Sequence, residues 1–412
     1  MATNPTPAAN SAPILDLLHP DYIANPWPMV DRMMSEQPIA FDPRLGGWLI
    51  GRQRDMDTLR RDPRLSSRRI DYLTAMMPAE LHAMSQPLLD WYGQWIVMLD
   101  MPEHMRIRKL ATKAFQPHSL ANIAERIRAV VDELIDKVID SGRMEFMRDF
   151  ALPLPRTIIC DMVGIPAADR ERFGRWTERL GALLAADLHT RADVESTLEA
   201  YHEITRFFTE LIERRRRQPV EGELLSQLVL ASDTDDSLTA QEVLDLVAFI
   251  MVGGYETTTH LLANGILLLL QNPTELARLR QDPGLIPSAV EEMLRCEPPL
   301  TLNTRLIAES FEYEGHRFEA GQLLYFITLA INRDPDRFPD PHRFDVGRDN
   351  GAHASFGFGT HFCLGAALAR LEGKIAFERL LERLPSLSLP DQALTRRPNI
   401  VLRALEALEL RW

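Results

Sequence analysis

Residues 356–365 read FGFGTHFCLG, a glycine-rich run that contains a cysteine and comes before a predicted helix. Gly357, Gly359 and Gly365 have no Cβ, so the backbone here can pass close against a flat group. Cys363 lies at the predicted helix start, where backbone amides point at its sulfur and lower the thiol pKa. A metal-ligating thiol must be deprotonated. The run therefore predicts a thiolate ligand, although an arbitrary lone cysteine is usually a small buried hydrophobic residue.

Glu292 and Arg295 form an E-x-x-R pair in a helical stretch. Residues three apart share one face of a helix, so the two side chains can pair. The remaining guanidinium donors of Arg295 are then available to the loop before Cys363. By itself the pair carries little weight, because a helical chain of this length contains several such spacings by chance.

Residues 253–258 read GGYETT in the middle of a long apolar stretch. Two glycines in a helix interior cost roughly 2 kcal/mol relative to alanine. The carboxyl group of Glu256 on an apolar helix is also unfavourable unless it is satisfied. Something must offset both costs, and close helix packing over the glycines with a capped Glu256 is the structural alternative to a functional site.

These motifs resemble those of the cytochrome P450 family of haem-thiolate monooxygenases. The cysteine run matches F-x-x-G-x-H-x-C-x-G at every fixed position, and residues 253–257 match [AG]-G-x-[DE]-T. Residues 100–108 resemble the D-x-P-E-H-x-x-x-R of bacterial members. The resemblance implies a mainly α fold with a minor β part, in which one helical domain with small β-sheets binds haem b.

The resemblance also assigns roles to individual residues. Cys363 is the axial thiolate ligand of the haem iron, and Glu256 and Thr257 relay protons to the site of oxygen activation. Arg343 completes the ion-pair cluster of Glu292 and Arg295. The residues assigned to the haem propionates are His104, Arg108, Arg305 and His361. The other implied haem contacts are Gly253, Phe356, Gly357 and Gly365.

Regions that line the substrate pocket in this family are rich in apolar side chains here. Such a lining predicts a roomy pocket for a terpenoid, steroid, fatty-acid or polyketide-like molecule. Each residue taken alone is better explained as ordinary core than as a substrate contact. The candidates are Leu88, Leu89, Trp91, Leu180, Leu184, Ala248, Val252, Leu300 and Leu302.

Composition limits the possible partners. The chain has 46 Lys and Arg against 59 Asp and Glu, a formal net charge of −13. Broad binding to nucleic acid or to an anionic membrane is therefore not expected. Only three cysteines are present and no secretory signal is evident, which favours a reducing cytoplasm. Residues 1–14 are expected to form a flexible tail before one domain, 15–412, and the protein is expected to be a monomer.

The resemblance implies that electrons come from a separate ferredoxin and ferredoxin reductase. Arg106, Arg108, Lys109 and Lys113 are predicted to form a positive face for an acidic ferredoxin. Dioxygen and an apolar molecule would be the substrates. The alternatives are a haem-thiolate enzyme that is a peroxygenase, isomerase or oxidative coupling catalyst, and a haem-binding sensor. Retention of both Glu256 and Thr257 favours the dioxygen route.

Periodicity predicts long helices and short strands. The predicted helices are 119–140, 198–217, 239–271 and 364–384, and Thr239 with Glu242 forms a capping box. The predicted strands are 39–42, 48–50, 304–307, 323–327, 386–389 and 404–412.

Overall fold

A computed structural model describes residues 13–114, 117–185, 190–231, 238–349, 351 and 353–412. Most of the predicted tail, residues 1–12, lies outside the described residues. The described part is mainly helical, as predicted. Its α-helices are α1 Pro20–Ala24, α2 Trp27–Glu36, α3 Gln53–Leu59, α4 Ile70–Met76, α5 His82–Tyr92, α6 Glu103–Ala114, α7 Pro117–Asp136, α8 Pro153–Val163, α9 Arg170–Ala185, α10 Arg191–Arg217, α11 Leu224–Ala231, α12 Ala240–Gln271, α13 Pro273–Gln281, α14 Ile286–Cys296, α15 Thr328–Ile331 and α16 Ala366–Arg383.

The β part consists of one five-stranded sheet and two hairpin-sized sheets. The strands are β1 Ile39–Asp42, β2 Gly47–Ile50, β3 Leu65–Ser66, β4 Arg143–Glu145, β5 Leu302–Ile307, β6 Phe311–Tyr313, β7 His316–Phe318, β8 Leu323–Ile327 and β9 Glu409–Arg411. The large sheet has the order β1-β2-β8-β5-β3, with β2 and β8 parallel and the other pairs antiparallel. The small sheets are β4-β9 and β6-β7.

The strand predictions are confirmed except at the C-terminus. Of the predicted strand 404–412, Glu409–Arg411 forms β9 and pairs with β4, and Leu405 makes an isolated bridge to Arg396. The predicted strand 386–389 is wrong, because it contributes one isolated bridge, between Ser388 and Arg411. Outside β9, the end of the chain therefore forms isolated backbone bridges at positions where alternating apolar residues predict continuous strands.

Helix α12 is the central element of the helical part. The predicted capping box is confirmed: the amide of Glu242 donates to Thr239 Oγ1 at 3.1 Å, and the amide of Thr239 donates to Glu242 Oε2 at 2.8 Å. By length and composition α12 could cross a membrane, yet 72% of its apolar window is buried inside the protein. Its hydropathy is therefore that of a core helix.

Three apolar clusters hold these elements together. The largest joins the helices around α12 and includes Val247, Ile266 and Phe377. A second packs α1 and α2 against one face of the large sheet, through Tyr22, Val30 and Tyr325 among others. The third lies on the other face of that sheet, where Phe358 joins residues of β5 and β8. The cysteine run thus lies where the sheet meets the helical part.

Candidate active site

The run before Cys363 is a tight loop that only glycine can follow at two positions. Gly357 has φ +68° and Gly359 has φ +62°, the left-handed region that is costly for residues with a Cβ. The amide of Cys363 donates to the carbonyl oxygen of Phe356 at 2.8 Å, which closes the loop. Cys363 therefore projects from a backbone whose path is set locally, three residues before α16 begins at Ala366.

The predicted low pKa of the Cys363 thiol is not what the protein alone produces. The Cys363 side chain is accessible, but the surrounding protein is dense enough that burial raises the pKa of its thiol. A hydrogen bond from the Gly365 amide and the charges of Arg108 and Arg370 lower that pKa by less. The amide contact at the helix start is thus confirmed, and coordination to a metal must supply the rest of the driving force for a thiolate.

Behind the loop, the E-x-x-R pair is fully buried. Arg295 Nε and Nη2 donate to the two oxygens of Glu292 at 2.7 and 2.9 Å. The third partner is Arg348, whose Nε donates to Glu292 Oε1 at 3.0 Å. The prediction of Arg343 is wrong, because its side chain is exposed and lies 3.7 Å from Asp345, while its backbone carbonyl accepts from both arginines. Arg295 also donates to the carbonyl of Asn332, so the cluster ties the segment that begins after α15 to α14.

The predicted propionate residues converge on one side of the loop. The rings of His104 and His361 lie 4.0 Å apart, and Ser67 Oγ is 3.0 Å from His361 Nε2. Arg108 Nη2 donates to the carbonyl oxygen of Phe362 at 2.6 Å. Arg305 reaches the same region from β5, where it lies over the ring of Phe358. The predicted set is thus brought together from α6, β5 and the cysteine loop.

Arg69 is a further member of this basic cluster that sequence reasoning missed. It is half-buried, and its guanidinium donates to the backbone carbonyls of Ser67 and Val97. Its pKa is lowered by burial, and its charge in turn helps to lower the pKa values of Arg305 and His361. The doublet Arg68-Arg69 has no feature in the sequence that marks the second arginine as half-buried.

The electrostatics of the cluster call for an anion. Burial and the neighbouring charges lower the pKa of His361 to about 2, that of His104 to about 4 and that of Arg305 to about 10. Both ring nitrogens of His104 are buried, and neither has a hydrogen-bond partner among the residues that the structure describes. Buried polar groups in folded proteins are normally paired, so the cluster fits two carboxylates such as the propionates of haem.

The two glycines of α12 differ in their surroundings. A Cβ on Gly254 would lie 2.9 Å from Ile159 Cδ1, so Gly254 allows close packing against α8. A Cβ on Gly253 would meet only Phe249, at 3.8 Å, and packing within the protein does not require glycine there. The structural alternative thus explains Gly254, and Gly253 retains its predicted place beside a bound group.

Glu256 and Thr257 lie half-buried on α12. Thr257 Oγ1 donates to the carbonyl oxygen of Gly253 at 2.8 Å. Burial raises the pKa of Glu256, and Arg397, 3.7 Å away, lowers it by less. Arg397 is a second residue that the sequence did not reveal, since it comes from the loop before β9. Glu256 can therefore hold a proton more readily than an exposed carboxyl.

Most of the predicted pocket residues lie in the helical core. Leu88, Trp91, Leu180, Ala248 and Val252 belong to one buried cluster. Leu89 is also buried, Leu300 is half-buried, and the side chain of Leu184 lies outside the described residues.

The prediction of Leu302 is wrong. Leu302 and Arg305 are three residues apart on β5, and side chains at an odd spacing point to opposite faces of a strand. Arg305 faces the basic cluster, whereas Leu302 packs with Leu323 and Ile327 in the second apolar cluster. The alternation of the strand was available in the sequence and could have excluded Leu302.

Comparison with known proteins agrees with this geometry. A family model described as Cytochrome P450 matches residues 81–283 and 284–405. The chain is 38% identical to cytochrome P450 monooxygenase PikC of Streptomyces venezuelae, over 98% of this chain and 95% of the relative. It is 34% identical to the polyketide biosynthesis cytochrome P450 PksS of Bacillus subtilis, over 95% and 98%.

A solved structure of a myxobacterial cytochrome P450, CYP267B1, in complex with myristic acid has a TM-score of 0.84 and 39% identity, covering 96% of this chain and 98% of that one. The match extends over both the helical part and the sheets. The chain therefore belongs to the cytochrome P450 family, whose members bind haem b through a cysteine thiolate, and it is a P450 monooxygenase.

Proposed function

We propose that this monooxygenase inserts one oxygen atom from dioxygen into an apolar small molecule of terpenoid, steroid, fatty-acid or polyketide type. Its electrons come from a separate ferredoxin and ferredoxin reductase. We place the enzyme in the cytoplasm as a monomer with one catalytic domain, residues 15–412. The relative PksS is named for polyketide biosynthesis, and the myxobacterial neighbour holds a fatty acid, which supports a lipid-like substrate class.

The observation that carries the substrate class is the apolar cluster beside α12. Leu88 and Trp91 from α5, Leu180 from α9 and Ala248 and Val252 from α12 are buried together, next to residues 253–257. Apolar walls with few polar groups are typical of sites for hydrophobic ligands. The site thus favours a substrate that is bound by burial of apolar surface.

Within this proposal, haem supplies the oxygen chemistry and the chain supplies the ligand, the anchors and the protons. Cys363 is the metal ligand, and His104, Arg108, Arg305, His361 and Arg69 hold the propionates. Glu256 carries a proton on its carboxyl group and passes it toward the hydroxyl of Thr257. The exposed side of Arg397 connects Glu256 with solvent, so Arg397 positions the carboxyl group at the entrance of this route.

Substitution of Cys363 tests the ligand assignment. Cys363→Ser is expected to abolish the long-wavelength Soret band of the reduced carbon monoxide complex. Cys160→Ser is the matched control, because Cys160 is buried in the helical core and burial raises the pKa of its thiol to about 12. A band that survives in Cys363→Ser, or is lost equally in Cys160→Ser, would contradict the assignment.

Turnover experiments separate this function from the alternatives. Apolar compounds are first screened for the low-to-high-spin shift of the ferric protein. A compound that binds is then incubated with ferredoxin, reductase and NADPH, or with hydrogen peroxide alone. Oxygenated product that depends on the reductase chain supports the proposal, product from peroxide alone indicates a peroxygenase, and tight binding without product indicates a sensor.

The docking face for ferredoxin needs its own test. Arg106 forms an ion pair with Glu242 and Arg108 contacts Phe362, so both of these predicted cations have partners within the chain. The side chain of Lys113 lies outside the described residues. Lys109→Glu is expected to slow reduction by an acidic ferredoxin at low salt, with the difference vanishing at high salt. Reduction that ignores both the substitution and ionic strength would remove this face from the proposal.

A further inference from the structure

A buried hydrogen bond connects the pocket helix α5 to α12. Trp91 Nε1 donates to Asp245 Oδ1 at 2.8 Å, and Gln241 Nε2 donates to the same oxygen at 2.7 Å. Trp91 is 4% exposed and Asp245 is 3% exposed. A carboxylate in such a place is unfavourable unless it accepts hydrogen bonds, so the contact with Trp91 is more than incidental packing.

Trp91 is also the point where a third helix meets this pair. Its ring lies 4.7 Å from the ring of Tyr201 on α10 and 5.1 Å, edge to face, from the ring of Trp95. Aromatic pairs at these distances contribute beyond the area that they bury. One indole thus joins α5, α10 and α12 above the segment of α12 that carries Ala248 and Val252.

The helix that carries Trp91 has little local support of its own. Leu81, the residue before α5, makes no side-chain hydrogen bond to the first turn. Pro87 lies inside the helix, where it removes one backbone hydrogen bond. The placement of α5 therefore depends on side-chain contacts such as the one that Trp91 makes.

The two neighbouring tryptophans, Trp91 and Trp95, differ in whether the indole N–H has a hydrogen-bond partner. Trp95 is fully buried, and in the described part of the chain its Nε1 has no hydrogen-bond partner. Trp91, four residues earlier, donates to a carboxylate instead. Loss of the indole N–H should therefore matter at position 91 and cost little at position 95.

We propose that Asp245 is a positioning residue that sets the α5 wall of the substrate pocket by anchoring Trp91, an inference that rests on the proposed function for the identity of the pocket. Asp245 acts indirectly, without touching haem or substrate. It acts on specificity through Leu88 and Leu89, which α5 places against the interior. Loss of the hydrogen bond between Trp91 and Asp245 makes α5 more mobile and changes the relative rates at which different ligands enter the pocket.

Hydrogen–deuterium exchange of the holoenzyme tests the anchor directly. Trp91→Phe keeps an aromatic ring and removes the donor, so exchange of backbone amides in residues 82–92 is expected to rise by about tenfold. Trp95→Phe is the matched control and is expected to exchange like the wild type in this segment. Equal exchange in the two variants would overturn the proposal.

Substitutions at Asp245 provide the rescue test. Asp245→Asn keeps an oxygen that can accept from Trp91 and Gln241, so residues 82–92 should remain protected. Asp245→Leu removes the acceptor and should exchange like Trp91→Phe. If Asp245→Asn exchanges as fast as Asp245→Leu, the acceptor is not what holds α5 and the proposal fails.

Ligand-binding rates separate a pocket wall from general stability. Stopped-flow mixing with myristic acid, followed by the spin shift, is expected to be faster in Asp245→Leu, which keeps the pocket residue Trp91, while binding of the small ligand imidazole is unchanged. Equal acceleration of both ligands would refute a role in specificity. If myristic acid and every other apolar compound fail to shift the wild-type spectrum, the proposed function fails, and the exchange data still decide whether the anchor exists.

Discussion

Two buried charged clusters flank the cysteine loop, and they differ in how their charges are satisfied. In the first, Glu292 accepts hydrogen bonds from Arg295 and Arg348, and Arg295 donates its remaining hydrogens to backbone carbonyls. In the second, Arg69, Arg305 and two histidines are collected with little internal compensation.

The difference separates structure from binding. Opposite charges that complete each other's hydrogen bonds need no ligand, and the role of this cluster is to hold the backbone of residues 332–345 on α14. Burial and the neighbouring positive charges lower the pKa values of Arg305, His104 and His361, and within the described residues the ring nitrogens of His104 are unpaired, which is unfavourable for the protein alone. An anion such as a haem propionate would stabilise such a cluster. The three predictions that follow test this contrast.

The largest effect is expected from Glu292→Leu. This change leaves Arg295 and Arg348 buried without their carboxylate, and breaking a buried pair in this way costs about 3–5 kcal/mol. We expect little folded protein and a strongly lowered melting temperature. Arg343→Ala is the control, because its exposed side chain should contribute no more than about 0.5 kcal/mol. A stable, haem-loaded Glu292→Leu enzyme would show that this cluster does not stabilise the fold.

Glu372 on α16 is a third kind of buried titratable group. Among the described residues neither of its oxygens has a hydrogen-bond partner, and burial raises the pKa of Glu372 from 4.5 to about 8. Because the folded state binds the extra proton, its stability falls as pH rises from about 4.5 to about 8. Glu372→Gln should therefore be more stable than the wild type by about 3 kcal/mol at pH 7, with no difference at pH 4. Chemical denaturation at both pH values measures this, and a pH-independent difference would show that Glu372 has a partner.

A smaller effect of mixed sign is expected from Arg305→Met in the basic cluster. Without haem, removal of this buried cation relieves repulsion, so the apoprotein should gain about 1–3 kcal/mol. With haem, the loss of a charged contact to a propionate should speed transfer of haem to apomyoglobin about tenfold. Thermal unfolding of the apoprotein and the transfer rate measure the two halves. Destabilisation of the apoprotein would show that Arg305 stabilises the fold, as Arg295 does.

Much of the helical fold and the conformation of the cysteine loop could be predicted from local sequence. Thr239 and Glu242 are three residues apart, so their capping box is a property of that segment alone. The same holds for the loop from Phe356 to Cys363, whose glycines allow backbone angles that other residues avoid. The predicted ends of the long helices accordingly lie within a few residues of the observed ends. The exception is the start of α10, which was predicted at residue 198 and lies at Arg191.

The errors arose where distant segments meet. Arg343 and Arg348 lie in the same loop with the same charge, and only the folded chain shows which guanidinium turns toward Glu292. Arg69 is indistinguishable in sequence from Arg68. Leu302 is different, because the alternation of β5 relative to Arg305 was a local signal that could have been used.

Local sequence is enough to predict that Cys363 projects from a glycine-bearing loop at a helix start, because short-range backbone geometry specifies such a loop. The charges that surround Cys363 depend on how the whole chain folds. Residues 69, 104, 305 and 361 become neighbours through the packing of α6, β5 and the loop, and Asp245 finds Trp91 more than 150 positions away. Burial and Coulomb interactions depend on distance in space, which spacing along the chain does not record.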